Sequence, residues 1–223
     1  MTVAEGREGQ GWGARFLRAA AVFADRRVLT ILVLGFSSGL PLALSGSTLL
    51  LWMKDVGVDL GTIGLYALVG LPYTIKFLWA PIVDAFKVPI LSNALGHRRG
   101  WLVFSQLMLM AAILLLGAQD PLKAPIMIAV AAMIVAAASA THDIVIYAFR
   151  VEYLKTDQQA AGMAYFVAAY RIGMLASTAG AVALVAYLEM IGVDRDIVWF
   201  WGYAAMSAPV SYTHLTLPTI LLV

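Results

Sequence analysis

The stretch VLTILVLGFSSGLPLALSGSTLLLWM, residues Val28–Met53, decides the fold class. It holds no charged residue, and Arg26 and Arg27 precede it while Lys54 follows it. About 20 apolar residues in a helix cross the ~30 Å hydrocarbon layer of a bilayer, so this run is long enough to span. It is too long for the apolar part of a signal peptide and ends without a small-residue cleavage site, so it reads as a retained anchor.

Working outward, the pattern recurs at Thr62–Phe86, Trp101–Ala118, Ala124–Val151, Ala160–Leu188 and, in a shorter form, Ile197–Pro209. The blocks show no period-two alternation, which argues against a transmembrane barrel and for helices. The expected fold class is therefore all-α, a polytopic membrane helix bundle whose short connections favour antiparallel neighbours. Composition agrees: 62% of the 223 residues are hydrophobic and 13% charged, with mean hydropathy +0.86. A soluble domain could not cover that much apolar surface. The absence of cysteine excludes disulfides, thiolate metal sites and a cysteine nucleophile. A net charge of +2 gives no reason to expect nucleic acid. The lipid bilayer is the expected partner, and no metal or cofactor is expected.

Residues 1–27 carry Trp12, Phe16, Ala20 and Phe23 near helical spacing, among Arg15, Arg18, Arg26 and Arg27. They read either as a short interfacial helix or as a basic leader running into the first span. Arg7, Arg15, Arg18, Arg26, Arg27, Lys87, Arg98, Arg99, Arg150 and Lys155 fall on one side of the expected topology, against Lys54, Lys123 and Arg195 on the other. That excess predicts a cytoplasmic amino terminus. At the far end the apolar pattern stops in mid-span. Val210–Thr219, VSYTHLTLPT, reads as the in-frame translation of a transposase sequencing adapter, so residues 210–223 are expected to be an artefact and the natural sixth helix to be incomplete at Pro209.

Ionisable residues within spans carry the functional expectation, because each costs ~3 kcal/mol or more when left alone at the bilayer centre. Lys76, Asp143 and Arg171 lie roughly 15, 12 and 17 Å from the ends of their spans at ~1.5 Å per residue. One layer on three helices predicts a shared wet cavity, with the third and sixth helices toward lipid; a structural ion pair with a snorkelling lysine is the alternative. Asp143, Tyr147 and Arg150 recur at i, i+4 and i+7 on one face, with Glu152 at its mouth and His142 about 100° away. Adjacent helix positions point apart, so His142 and Asp143 make a poor acid/base pair, and no enzyme is expected. Asp84 facing Arg98 and Arg99 suggests a conformational clamp, or simple basic anchoring of the loop. Gly39, Pro41, Gly70 and Pro72 either bend the first two helices or let them pack closely.

Phe36-SSGLPLALSGST-Leu49, Trp52-MK-Asp55, Ala67-LVGLPYTIKFLWA-Pro81, Arg98-RG-Trp101, Asp143-IV-Ile146, Arg150-V-Glu152 and Tyr170-RIGM-Leu175 together resemble the AmpG-like muropeptide permeases of the major facilitator superfamily. The resemblance covers about residues 29–176. It implies a twelve-helix carrier of which residues 28–209 are the amino-terminal six-helix half-domain. It also implies import of an anionic glycopeptide across the bacterial inner membrane, protons as coupling partner, and a missing carboxy-terminal half. The Asp84 to Arg99 segment resembles the superfamily's loop motif at a longer interval. His142 and Tyr147 stand where the family pattern has glutamine and a second aspartate, which puts substrate and coupling in question.

Overall fold

The computed structural model describes residues 21–221, with side chains to 210. The segment Met1–Ala20, where an interfacial helix or leader is expected, lies outside the described residues. The long elements are α1 Arg26–Asp55 and α2 Leu60–Leu78, then two short helices, α3 Ala80–Ala85 and α4 Leu91–Leu95. They are followed by α5 His97–Gly117, α6 Pro125–Tyr153, α7 Thr156–Met190 and α8 Arg195–Leu221. Five of these, α1, α2, α5, α6 and α7, are long and apolar enough to cross a membrane. Among the described residues there is no strand.

Two elements differ from expectation. The second span does not run unbroken to Phe86: it passes through 3-10 turns at Tyr66–Gly70 and Lys76–Leu78 and stops, and a separate short helix follows. Pro72 and Pro81 each sit at the start of a new helical segment, where a missing N–H costs nothing. The last helix does not stop at Pro209 but runs to Leu221. Pro209 and Pro218 both lie within that run, although each removes a backbone donor and the apolar pattern has ended.

Within α1, a π-helical turn spans Leu44–Thr48 and Gly46 adopts φ −106°, ψ −106°. Such a bulge strands backbone carbonyls, which the bilayer interior cannot hydrate. Hydroxyls add to the backbone bonds there: Ser177 donates to the Leu40 carbonyl at 2.9 Å and Ser45 to Pro41 at 3.0 Å, both of which also take the Leu44 N–H, and Tyr203 donates to Leu44 at 3.0 Å.

The closest helix pair is α1 with α7. A Cβ on Gly35 would run into the backbone of Phe166, one on Gly39 into the Tyr170 carbonyl, and one on Gly173 into the Phe36 carbonyl. Lipid supplies no hydrophobic drive between helices, so close backbone approach through small residues holds such a seam. Apolar clusters close both ends of the bundle. One contains Val28, Ile31, Leu102, Val145 and Phe166; the other contains Leu49, Trp52, Leu116, Ile128 and Tyr203. The third and sixth helices were expected toward lipid, yet α5 is wedged against α6 and α8 and half of its apolar window is buried. The open elements are α2 and α7, with 17% and 22% of their windows buried.

Candidate functional site

Asp143 is buried inside the bundle at 3% exposure. Its carboxylate accepts a hydrogen bond from Ser38 on α1 and faces the Lys76 ammonium of α2 at 3.6 Å. The lysine reaches it from one of the 3-10 turns, with a quarter of its side chain still exposed. A charge pair inside a bundle needs additional hydrogen bonds to offset desolvation, and Ser38 supplies one.

A cation–π ladder continues from this pair. Lys76 Nζ lies 4.9 Å from the centre of the Tyr147 ring. The Arg150 guanidinium lies 5.9 Å from the same ring and 5.8 Å from that of Phe166. Arg150 also reaches the Met163 sulfur, while its Nε is buried with no acceptor among the described residues. Tyr147, Arg150, Phe166, Tyr170 and Arg171 line one groove of about 450 Å³. A groove with one guanidinium over aromatic rings and a second on its wall suits an anion that carries apolar or ring-shaped parts.

The structure thus brings Lys76, Asp143, Tyr147 and Arg150 together. Arg171 makes no ion pair with Asp143; it joins the group only through the groove and is exposed on α7. His142 points the other way, with its Nδ1 2.9 Å from the Ser105 hydroxyl of α5, as the 100° offset requires. Sequence reasoning missed Ser38, Phe166 and Tyr170. The Ser37-Ser38 pair between Gly35 and Gly39 was the available signal for the first.

At the end of the bundle that holds the α4 loop, Arg98 bridges two helices. Its Nη1 lies 2.5 Å from Asp84 at the end of α3, and its Nε lies 3.0 Å from Glu152 at the end of α6. Asp84 and Arg98 therefore pair, and Glu152 belongs with them. Arg99 is exposed and makes none of these contacts. Of the expected bends, Gly39 lies in the α1–α7 seam, Pro41 precedes the π turn, Gly70 ends a 3-10 turn and Pro72 opens the next helical segment. At the opposite end, Asp120 accepts backbone hydrogen bonds from Leu122 at 2.9 Å and Lys123 at 3.2 Å. It also pairs with the Lys123 ammonium at 2.8 Å.

Residues 27–154 match the family model described as Acetyl-coenzyme A transporter 1. The chain belongs to this transporter family. Its relatives include the anhydromuropeptide permease of Escherichia coli (strain K12), 38% identical over 200 residues, which cover 88% of this chain and 38% of the relative. AmpG 4 of Rickettsia conorii is 34% identical over 168 residues, 75% of this chain and 40% of the relative. AmpG 1 of Rickettsia bellii is 32% identical over 164 residues, 74% and 40% respectively. The chain spans about two-fifths of the length of these relatives. Within the Acetyl-coenzyme A transporter 1 family match lie Lys76, Asp143, Arg150 and the whole Arg98 bridge; Arg171 lies beyond it. Family and helices together make this a multi-pass membrane protein.

Proposed function

We propose that the chain is the amino-terminal half of a bacterial inner-membrane permease that imports cell-wall muropeptides or related anionic glycopeptides together with protons. The observation that carries this reading is the groove beside the Lys76–Asp143 pair, in which Arg150, with a buried Nε lacking an acceptor, stands over aromatic rings and Arg171 lines the wall. The basic groups attract the carboxylates of a peptide stem and the rings pack on its sugar. Asp143 is the proton carrier, because neutralising it releases Lys76 for the substrate. The relatives named permeases support the substrate class. The family description makes another organic anion the rival substrate.

In this reading the amino terminus is cytoplasmic, the Arg98 bridge is a clamp on the cytoplasmic side, the other half of the carrier covers α2 and α7, and residues 210–223 are foreign to the gene. A non-functional fragment is the remaining alternative for the 223 residues alone. Uptake of labelled anhydromuropeptide by cells lacking their own permease tests the reading, using the gene amplified from source DNA. Arg150→Gln and Arg171→Gln should lower uptake with unchanged membrane abundance, and Asp143→Asn should abolish its dependence on the pH gradient. Losses that track abundance, or uptake indifferent to all three substitutions, refute it.

A further inference from the structure

Two buried hydroxyls near Asp143, those of Tyr73 on α2 and Ser139 on α6, are enclosed and make no well-formed hydrogen bond. Tyr73 lies close enough to Ser139 and to Ser45 for a loose hydrogen bond with each, and within electrostatic reach of the Asp143 carboxylate. Ser139 sits one helical turn before Asp143. Ser38, which donates to Asp143, and Ser45 are seven residues apart on α1, two turns along one face. Beyond Ser45, Thr48 donates to Thr178 at 3.3 Å, and Thr178 pairs with Ser47 at 2.9 Å on an exposed face. The series from Ser47 to Ser38 covers about 13 Å of helix at ~1.5 Å per residue.

Unsatisfied hydroxyls in a bilayer-spanning bundle are costly, and a site with several convergent polar atoms is where a bridging water settles. We propose that this series is a hydrated proton relay leading from the exposed Ser47–Thr178 pair, through Ser45, Tyr73 and Ser139, to Asp143. The inference rests on the reading of Asp143 as proton carrier. A proton entering from water at the Ser47 end is taken on an oxygen lone pair. Each hydroxyl or water passes its own proton on, and the Asp143 carboxylate becomes a neutral acid with no charge left along the way. Lys76 keeps its proton and loses its counter-charge. Facing Asp143 are Lys76, Tyr73, Tyr147 and Tyr170; Arg150 and Arg171 stand beyond Tyr147 in the groove.

The test is infrared spectroscopy of the protein in liposomes without substrate, following the carboxylic-acid band that Asp143→Asn removes after a drop in external pH. Tyr73→Phe with Ser139→Ala should slow growth of that band by about ten-fold or more, ~1.4 kcal/mol on the barrier, at unchanged final amplitude. Ser105→Ala, on the His142 side, should leave the rate unaltered. A double variant within about two-fold of the parent, or equal slowing by Ser105→Ala, overturns the relay. Because no substrate is present, loss of uptake alone would sink the transport reading and leave this result standing.

Discussion

Replacing Lys76 by methionine keeps the stem and deletes the charge that faces Asp143 at 3.6 Å. At an effective dielectric of ~20, two unit charges at that distance attract by about 4–5 kcal/mol. The lysine's partial exposure and the remaining Ser38 hydrogen bond reduce the net coupling to about 2 kcal/mol, or ~30-fold in an equilibrium constant. The single variant should be hurt more than the double variant Lys76→Met with Asp143→Asn, because it strands a buried carboxylate. A double-mutant cycle measured by unfolding in detergent gives the coupling directly. A coupling below about 0.5 kcal/mol would mean that the two residues act independently, and the reasoning from their geometry would fail.

Arg98→Ala should cost no more than about 1 kcal/mol of stability, since Asp84 and Glu152 are more than half exposed. It should instead raise cysteine accessibility at exposed Asn93, and an unchanged labelling rate would count against a clamp. Gly39→Ala should separate α1 from α7 and lower membrane abundance, whereas Gly64→Ala in α2, with open space at its Cβ, should be tolerated; equal effects would contradict the seam. Hydrogen bonding and charge from Lys123 hold the Asp120 carboxyl below its ordinary range. A depressed acid stabilises above its unfolded value and loses that contribution as pH falls through the folded one. Protection of the amides in the loop 119–124, taken relative to intrinsic exchange at each pH, should thus hold steady from pH 7 to about 5 and fall below ~4; loss of protection near neutrality would refute the assignment.

Lys76 and Asp143 were legible as a pair because charges inside apolar spans are expensive and must find each other. Arg171 shares the groove but not the ion pair: depth gives height along a helix but not which way the side chain turns, and its side chain is open at the surface of α7. The relay hydroxyls were invisible, since a serine in a membrane helix commonly bonds the carbonyl one turn back and a tyrosine's position does not say what its hydroxyl meets. Helix existence followed from apolar length, but the 3-10 turns of α2 depend on packing against α6 and left no periodic trace. The continuation of α8 past Pro209 shows the reverse case, a helical backbone that outlasts its apolar signal.

The glycine seam between α1 and α7 has a consequence for biosynthesis. Gly39 cannot meet the Tyr170 carbonyl until more than a hundred further residues have been translated. At 5–20 residues per second that is a wait of roughly 7–26 s. During that interval the first anchor is already in the membrane with its small-residue groove bare. Whatever occupies the groove meanwhile, lipid tails or insertion machinery, must leave when the later helix arrives. Assembly of this bundle is therefore timed by the ribosome, and slowing translation between the two segments should prolong the age at which the nascent protein is most vulnerable to degradation.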